Sequence, residues 1–122
     1  MVGKPKVLIV EDNSDVRHLY AIGLNQRGFE VKLAANGAEA VERITNEKPD
    51  VILLDWVMPL MDGGELLDKL SSGRAATVPI IVISGYQPPA GVEIGGRIRR
   101  WLTKPVSIDE LVSEIQSPLA VT

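Results

Sequence analysis

Val51-Ile52-Leu53-Leu54 is apolar at four successive positions and ends on a carboxylate, Asp55. A strand with one wet face alternates apolar and polar side chains. A run without polar breaks belongs instead to a strand covered on both faces, as in parallel sheets wrapped by helices. Val7-Leu8-Ile9-Val10 and Ile80-Ile81-Val82-Ile83 read the same way. Further out, Glu30-Val31-Lys32-Leu33-Ala34 alternates and Arg100-Trp101-Leu102-Thr103 is short with polar ends, so both suit positions nearer a sheet edge. Five strands result, separated by stretches of helical spacing, the alternation that builds a single doubly wound α/β sheet with helices on both faces.

The intervening stretches carry their own start and stop signals. Val16, Leu19, Tyr20 and Leu24 fall on one helical stripe, opened by Asn13 or Ser14 and stopped by Gly28. Asn36 with Glu39 three residues on is an N-cap with its carboxylate, leading Val41 and Ile44 on one face until Pro49. Leu66, Leu67 and Leu70 carry a third helix that Gly73 can end. Ser107-Ile108-Asp109-Glu110 is a capping box for a helix with Ile108, Leu111, Val112 and Ile115 inward and Pro118 as its stop. Residues 85–100 break the pattern. A continuous helix there would bear Pro88 and Pro89 at ~3 kcal/mol each and Gly91, Gly95 and Gly96 at ~1 kcal/mol each, about 9 kcal/mol against alanine. The expectation is a loop with one or two turns around residues 92–98, more mobile than its surroundings.

Composition narrows the function. The 122 residues suffice for one domain, with a core over about residues 6–117, and the 45% hydrophobic and 24% charged residues are ordinary for a folded globule. Thirteen Lys and Arg against 16 Asp and Glu give a net charge of -3, which weighs against direct nucleic-acid binding. The absence of Cys excludes disulfides, thiolate metal sites and thiol catalysis, and a single His excludes a multi-histidine metal centre. His18 falls on the polar side of its helix, so it is expected exposed and without a chemical role. The start Met-Val-Gly-Lys-Pro-Lys does not read as a secretory signal, and the short apolar runs do not span a membrane, so the expected location is cytoplasmic.

In an open parallel sheet, functional groups gather beyond the carboxyl ends of the strands. Here those ends are Glu11-Asp12, Asp55, Ser84 and Lys104-Pro105. Three acids, a hydroxyl and an ammonium would share one edge. Like charges ~4 Å apart at an effective dielectric of ~20 repel by about 4 kcal/mol, so the acids need a cation. Hard oxygen donors suit Mg²⁺, with Mn²⁺ as a substitute, and Lys104 adds a fixed positive charge.

Glu11-Asp12, Asp55 followed by Met58-Pro59 and Asp62-Gly63, Ser84, and Lys104-Pro105 together resemble the receiver domain of two-component response regulators. The resemblance runs from Lys6 to about Ile115 and implies strand order 2-1-3-4-5. It implies that Asp55 is the phosphoacceptor, and that Asp12, Asp55 and the Val57 backbone carbonyl ligate Mg²⁺ with Glu11 direct or through water. Lys104 and Ser84 would contact phosphoryl oxygens, and a cis bond before Pro105 would aim Lys104. The implied donor is a phosphohistidine on a sensor histidine kinase or histidine phosphotransfer domain, and the implied output is a downstream protein partner. Such a domain is a switch that at most hydrolyses its own acyl phosphate slowly, not a turnover enzyme.

Three departures stand out. Ser84 replaces the frequent Thr of the family, keeping the hydroxyl but losing the stiffer branched side chain. Trp101 stands where the family commonly has a Tyr or Phe that moves between outward and inward positions on activation, so the resemblance implies Ser84 and Trp101 as the switch residues; the bulkier indole fits an inward position less readily, and plain packing against the region after Ser84 is the alternative. The fourth helix of the family gives way to the shortened, irregular segment 85–100, with Arg97, Arg99 and Arg100 at its end as a solvated or salt-bridged rim or a docking patch. These departures keep a rival open, a receiver-like docking module that works unphosphorylated. A Mg²⁺ phosphohydrolase with Asp55 as nucleophile is a second rival, but it lacks a second general acid.

Overall fold

A computed structural model describes residues 3–57, 63–70 and 77–120. The chain runs β1 (Lys6–Val10), α1 (Ser14–Gln26), β2 (Glu30–Ala34), α2 (Gly37–Asn46), β3 (Val51–Asp55), α3 (Gly63–Lys69), β4 (Ile80–Ser84), β5 (Ile98–Thr103) and α4 (Ile108–Ala120). All pairings are parallel, in the order β2-β1-β3-β4-β5.

The unbroken apolar strands divide their side chains between two cores. Leu8, Val10, Ile52, Leu54, Ile80 and Val82 face α2 and α3. Val7, Ile9, Val51, Leu53, Ile81 and Ile83 face α1 and α4. Each such side chain contributes about 1.5–3 kcal/mol by leaving water, which is why three fully buried strands organise the domain. The edge strands carry charge, Glu30 and Lys32 on β2 and Arg99 and Arg100 on β5, which discourages further strand addition.

Local signals explain most boundaries. Asn13 caps α1 by accepting from the Val16 amide at 3.0 Å. At the other end Gly28 has φ +91°, and the Phe29 amide reaches back to the Leu24 carbonyl at 3.1 Å while Phe29 and Leu24 are both buried. This is a Schellman closure, which favours glycine at that position. Asn36 caps α2 through the Glu39 amide at 2.9 Å, and the Glu39 carboxylate accepts from the Ala35 amide at 2.8 Å. Ser107 and Glu110 form the capping box of α4.

Four expectations need correction or lie out of view. The α1 stripe is Val16, Tyr20, Ala21 and Leu24, because Leu19 is 62% exposed. β5 begins at Ile98 rather than Arg100: Ile98 pairs with Ile80 and Arg100 with Ile81, so Arg99 is an extra bulged residue that disguises the strand's start. Pro118 does not stop α4, which continues to Ala120; so near a helix end a proline removes only one late donor. Met58, Pro59, Asp62 and Gly73 lie outside the described residues.

Between β4 and β5, residues 85–97 form turns and no helix, with Gly91 and Gly95 at positive φ and an isolated bridge from Ile94 to Ile98. Where a helix layer would lie, a cleft of about 510 Å³ opens between this connection and α3, with Trp56 in its wall. Arg97 spans the gap. It is half-buried and donates to the Val78 carbonyl at 2.7 Å and the Leu70 carbonyl at 2.9 Å, so it is a structural brace rather than part of a solvated rim. Arg100 pairs with Glu114 of α4 at 2.8 Å.

Candidate functional site

Parallel register brings the strand ends level. Val10 pairs with Leu54, Asp55 with Ile83 and Ser84 with Thr103, so the residues that follow emerge along one edge. The Glu11 amide extends the β1–β2 ladder to the Ala34 carbonyl at 3.0 Å. Carboxylate oxygens of Glu11, Asp12 and Asp55 lie within 4.8 Å of one another. Glu11 is 3% exposed and Asp55 8%, whereas Asp12 is open to solvent.

Buried acids this close must be neutralised, and the site shows two means. Lys104 places Nζ 3.5 Å from Glu11 Oε1 and 3.7 Å from Asp55 Oδ2. Burial works against its charge, but Asp55 and Glu11 prevail and hold the ammonium above its ordinary pKa. Glu11 supplies the other means, because desolvation first, and then a hydrogen bond with Asp55, raises its pKa to about 7. Near neutrality Glu11 therefore keeps its proton far more readily than a free carboxyl, in a site where a divalent cation would supply the missing charge. Three oxygen donors with no nitrogen or sulfur fit a hard cation of the Mg²⁺ class.

The surrounding backbone fixes these groups. The Glu11 carboxylate accepts from the Asn13 amide at 3.2 Å, and Asp55 Oδ1 accepts from the Val57 amide at 3.3 Å. The Lys104 amide donates to the Ser84 carbonyl at 2.8 Å, and the Lys104–Pro105 peptide is cis. Ser84 is 1% exposed, with Oγ accepting from the Tyr86 amide at 3.1 Å. Trp101, on β5, donates its indole N–H to the Tyr86 carbonyl at 2.8 Å. His18 is exposed and bonded to the Ser14 carbonyl, away from this cluster.

Glu11, Asp12, Asp55 and Lys104 thus form one cluster, with Ser84 tied to it through the Lys104 backbone. Sequence reading missed two neighbours. Arg17 braces the β1–α1 turn by donating to the Glu11 carbonyl at 2.8 Å and the Asp12 carbonyl at 3.3 Å; its place one turn into α1 was the available signal. Trp56 packs on Trp101 with ring centroids 5.1 Å apart and planes tilted by 55°. No spacing rule links positions so distant in sequence.

Residues 7–116 match the family model of the response regulator receiver domain. The chain is 38% identical over 122 residues to the transcriptional regulatory protein PrrA of Mycobacterium leprae, covering 97% of this chain and 51% of that protein. It is 35% identical over 127 residues to the phosphate regulon transcriptional regulatory protein PhoB of Pseudomonas aeruginosa, covering 100% of this chain and 54% of that protein. The chain therefore spans about half the length of the curated relatives it matches. Among solved structures, the receiver domain of Francisella response regulator 1452 superposes with a TM-score of 0.84 at 31% identity, covering 96% of this chain and 98% of that one. A CheY-like receiver domain protein from Methanospirillum hungatei gives a TM-score of 0.88 at 28% identity, covering 97% and 95%. Sequence, topology and the acidic strand edge agree, and the chain belongs to the response regulator receiver-domain family of two-component signalling.

Proposed function

We propose that the 122 residues act as one phosphoacceptor unit in which Asp55 is phosphorylated by a phosphohistidine of a sensor kinase or histidine phosphotransfer domain in the cytoplasm. The observation that carries this is the cluster of buried Asp55 with Glu11, Asp12 and Lys104 at the sheet edge. An oxygen of the Asp55 carboxylate attacks phosphorus, the P–N bond to the donor imidazole breaks with its electron pair, and an acyl phosphate forms. Asp12, Asp55 and the Val57 carbonyl, with Glu11 direct or through water, would hold Mg²⁺ or Mn²⁺, which when bound would supply charge neutralisation for the transferring group. Lys104 pairs with one phosphoryl oxygen and Ser84 donates its hydroxyl to another. Water attack on the acyl phosphate returns the resting state slowly, and a downstream protein partner reads the phosphorylated form.

The experiment is intact-mass analysis after incubation with acetyl phosphate, with and without Mg²⁺, for the native protein and Asp55→Asn. Gain of one phosphoryl group by the native protein alone, and only with metal, supports the reading. The turns that replace a helix at residues 85–97 favour a second reading, a docking module indifferent to phosphorylation. A folded, Mg²⁺-binding protein that takes no phosphoryl group from either acetyl phosphate or a phosphorylated histidine donor would put that second reading first.

A further inference from the structure

We infer that Trp101 is a fixed clamp that aims the Ser84 hydroxyl, not an aromatic that swings between two positions; the inference rests on the phosphoacceptor reading of Asp55. Three contacts form one chain. The Trp101 indole N–H is bonded to the Tyr86 carbonyl at 2.8 Å, the Tyr86 amide is bonded to Ser84 Oγ at 3.1 Å, and the Trp101 ring rests on Trp56, the residue that follows Asp55. Trp101 is therefore held by its indole N–H and by its ring contact at once. Swinging out or in would break a hydrogen bond and an aromatic contact together, each a favourable term of its own.

The Tyr86 side chain cannot hold this turn, because it is 72% exposed. Trp101 instead anchors the 86–87 peptide through the Tyr86 carbonyl, and because the 85–86 peptide that carries the Tyr86 N–H shares the same Cα, this contact restrains the turn that presents that N–H to Ser84. With one lone pair of Oγ taken by that amide, the hydroxyl hydrogen is left to donate elsewhere, and Ser84 sits at the end of β4 beside Asp55's strand. The Ser84 carbonyl is fixed as well, by the Lys104 amide at 2.8 Å. Serine lacks the branch that would restrict its own side-chain torsion, so the clamp supplies from β5 the order that the residue itself does not. Trp101 acts through Ser84 and is a positioning residue.

The test has two arms. In the unphosphorylated native protein, NMR hydrogen exchange should show the Trp101 indole N–H and the Tyr86 amide both protected. Trp101→Phe should speed Tyr86 exchange about tenfold while core amides such as Leu53 keep their protection. An indole proton of Trp101 that exchanges as fast as free tryptophan in the native protein overturns the clamp without recourse to any variant. In the second arm, Mg²⁺-dependent labelling rates are compared for native, Trp101→Phe, Ser84→Ala and the double variant. Trp101→Phe should slow labelling about fivefold, the scale of one hydrogen bond, when Ser84 is present and have no further effect on Ser84→Ala. Equal slowing in both backgrounds overturns the inference, since a merely structural role would act regardless of Ser84. Absence of labelling in the native protein from both acetyl phosphate and a phosphorylated histidine donor would overturn the phosphoacceptor reading and the clamp's aiming role with it; the exchange arm would still decide whether the clamp exists.

Discussion

Glu11→Gln should make the metal-free protein more stable, and only above a definable pH. Glu11 is 3% exposed and its pKa is raised from 4.5 to about 7, chiefly by desolvation and then by its hydrogen bond with Asp55. In the unfolded chain the carboxyl loses its proton near 4.5, in the native state near 7. Between those values the unfolded state binds fewer protons, so native stability falls as pH rises through the window. At about 1.4 kcal/mol per tenfold in proton affinity, the loss reaches about 3 kcal/mol above pH 7 and is absent below 4.5. Glutamine keeps an oxygen to accept from the Asn13 amide but has no charge to desolvate. Urea unfolding in the presence of a chelator should therefore give coincident midpoints for the two proteins at pH 4. By pH 8 the variant should lead by about 1.5 M, taking a slope of about 2 kcal/mol per molar urea. Saturating Mg²⁺ should narrow or reverse the gap, because binding to the folded state alone stabilises the protein that keeps its ligand. Parallel midpoints from pH 4 to pH 8 would refute the argument, since Glu11 would then carry its charge in the folded protein without penalty.

Three further outcomes follow from other contacts. Lys104→Met removes the cation 3.5 Å from Glu11 and 3.7 Å from Asp55, so Mg²⁺ affinity by titration should tighten about threefold to tenfold, the range left after solvent screening, while acetyl phosphate labelling falls. Gly23→Ala would set a Cβ 2.6 Å from Ile108 Cδ1 and 2.8 Å from its Cγ1 where α1 meets α4; the clash should outweigh the ~1 kcal/mol gain in helix propensity and lower stability in urea, with Ile108→Ala in the same chain relieving the clash. Arg97→Met withdraws the donors of the Val78 and Leu70 carbonyls, and urea unfolding should register a loss of about 2 kcal/mol.

The legible parts of the fold were those where burial writes directly into residue order. Val51-Ile52-Leu53-Leu54 had to be covered on both faces, and its alternate residues do divide between the two cores. The acidic and basic strand ends were legible for the same reason, since neighbouring parallel strands deliver their carboxyl ends to one edge. The illegible parts arise where tertiary geometry overrides local pattern. A bulge at Arg99 shifts the alternation of β5 and hides Ile98 as its first residue. Leu19 fits a helical stripe by count, but Tyr20 and Ala21 take the inward face. Arg97 sits among exposed charges in sequence, yet its guanidinium serves two backbone carbonyls in place of a helix layer. The pairing of Trp56 with Trp101 depends on neighbouring strands in a particular register, which no single segment encodes.

Every step proposed for the site depends on Asp55 receiving the phosphoryl group. Reductive trapping of the acyl phosphate with borohydride, followed by peptide mass mapping, tests it most directly. The modified residue is expected at Asp55, and only in samples phosphorylated with Mg²⁺ present. Modification mapped to Asp12, Glu11 or any other residue, with Asp55 unmodified, would contradict it.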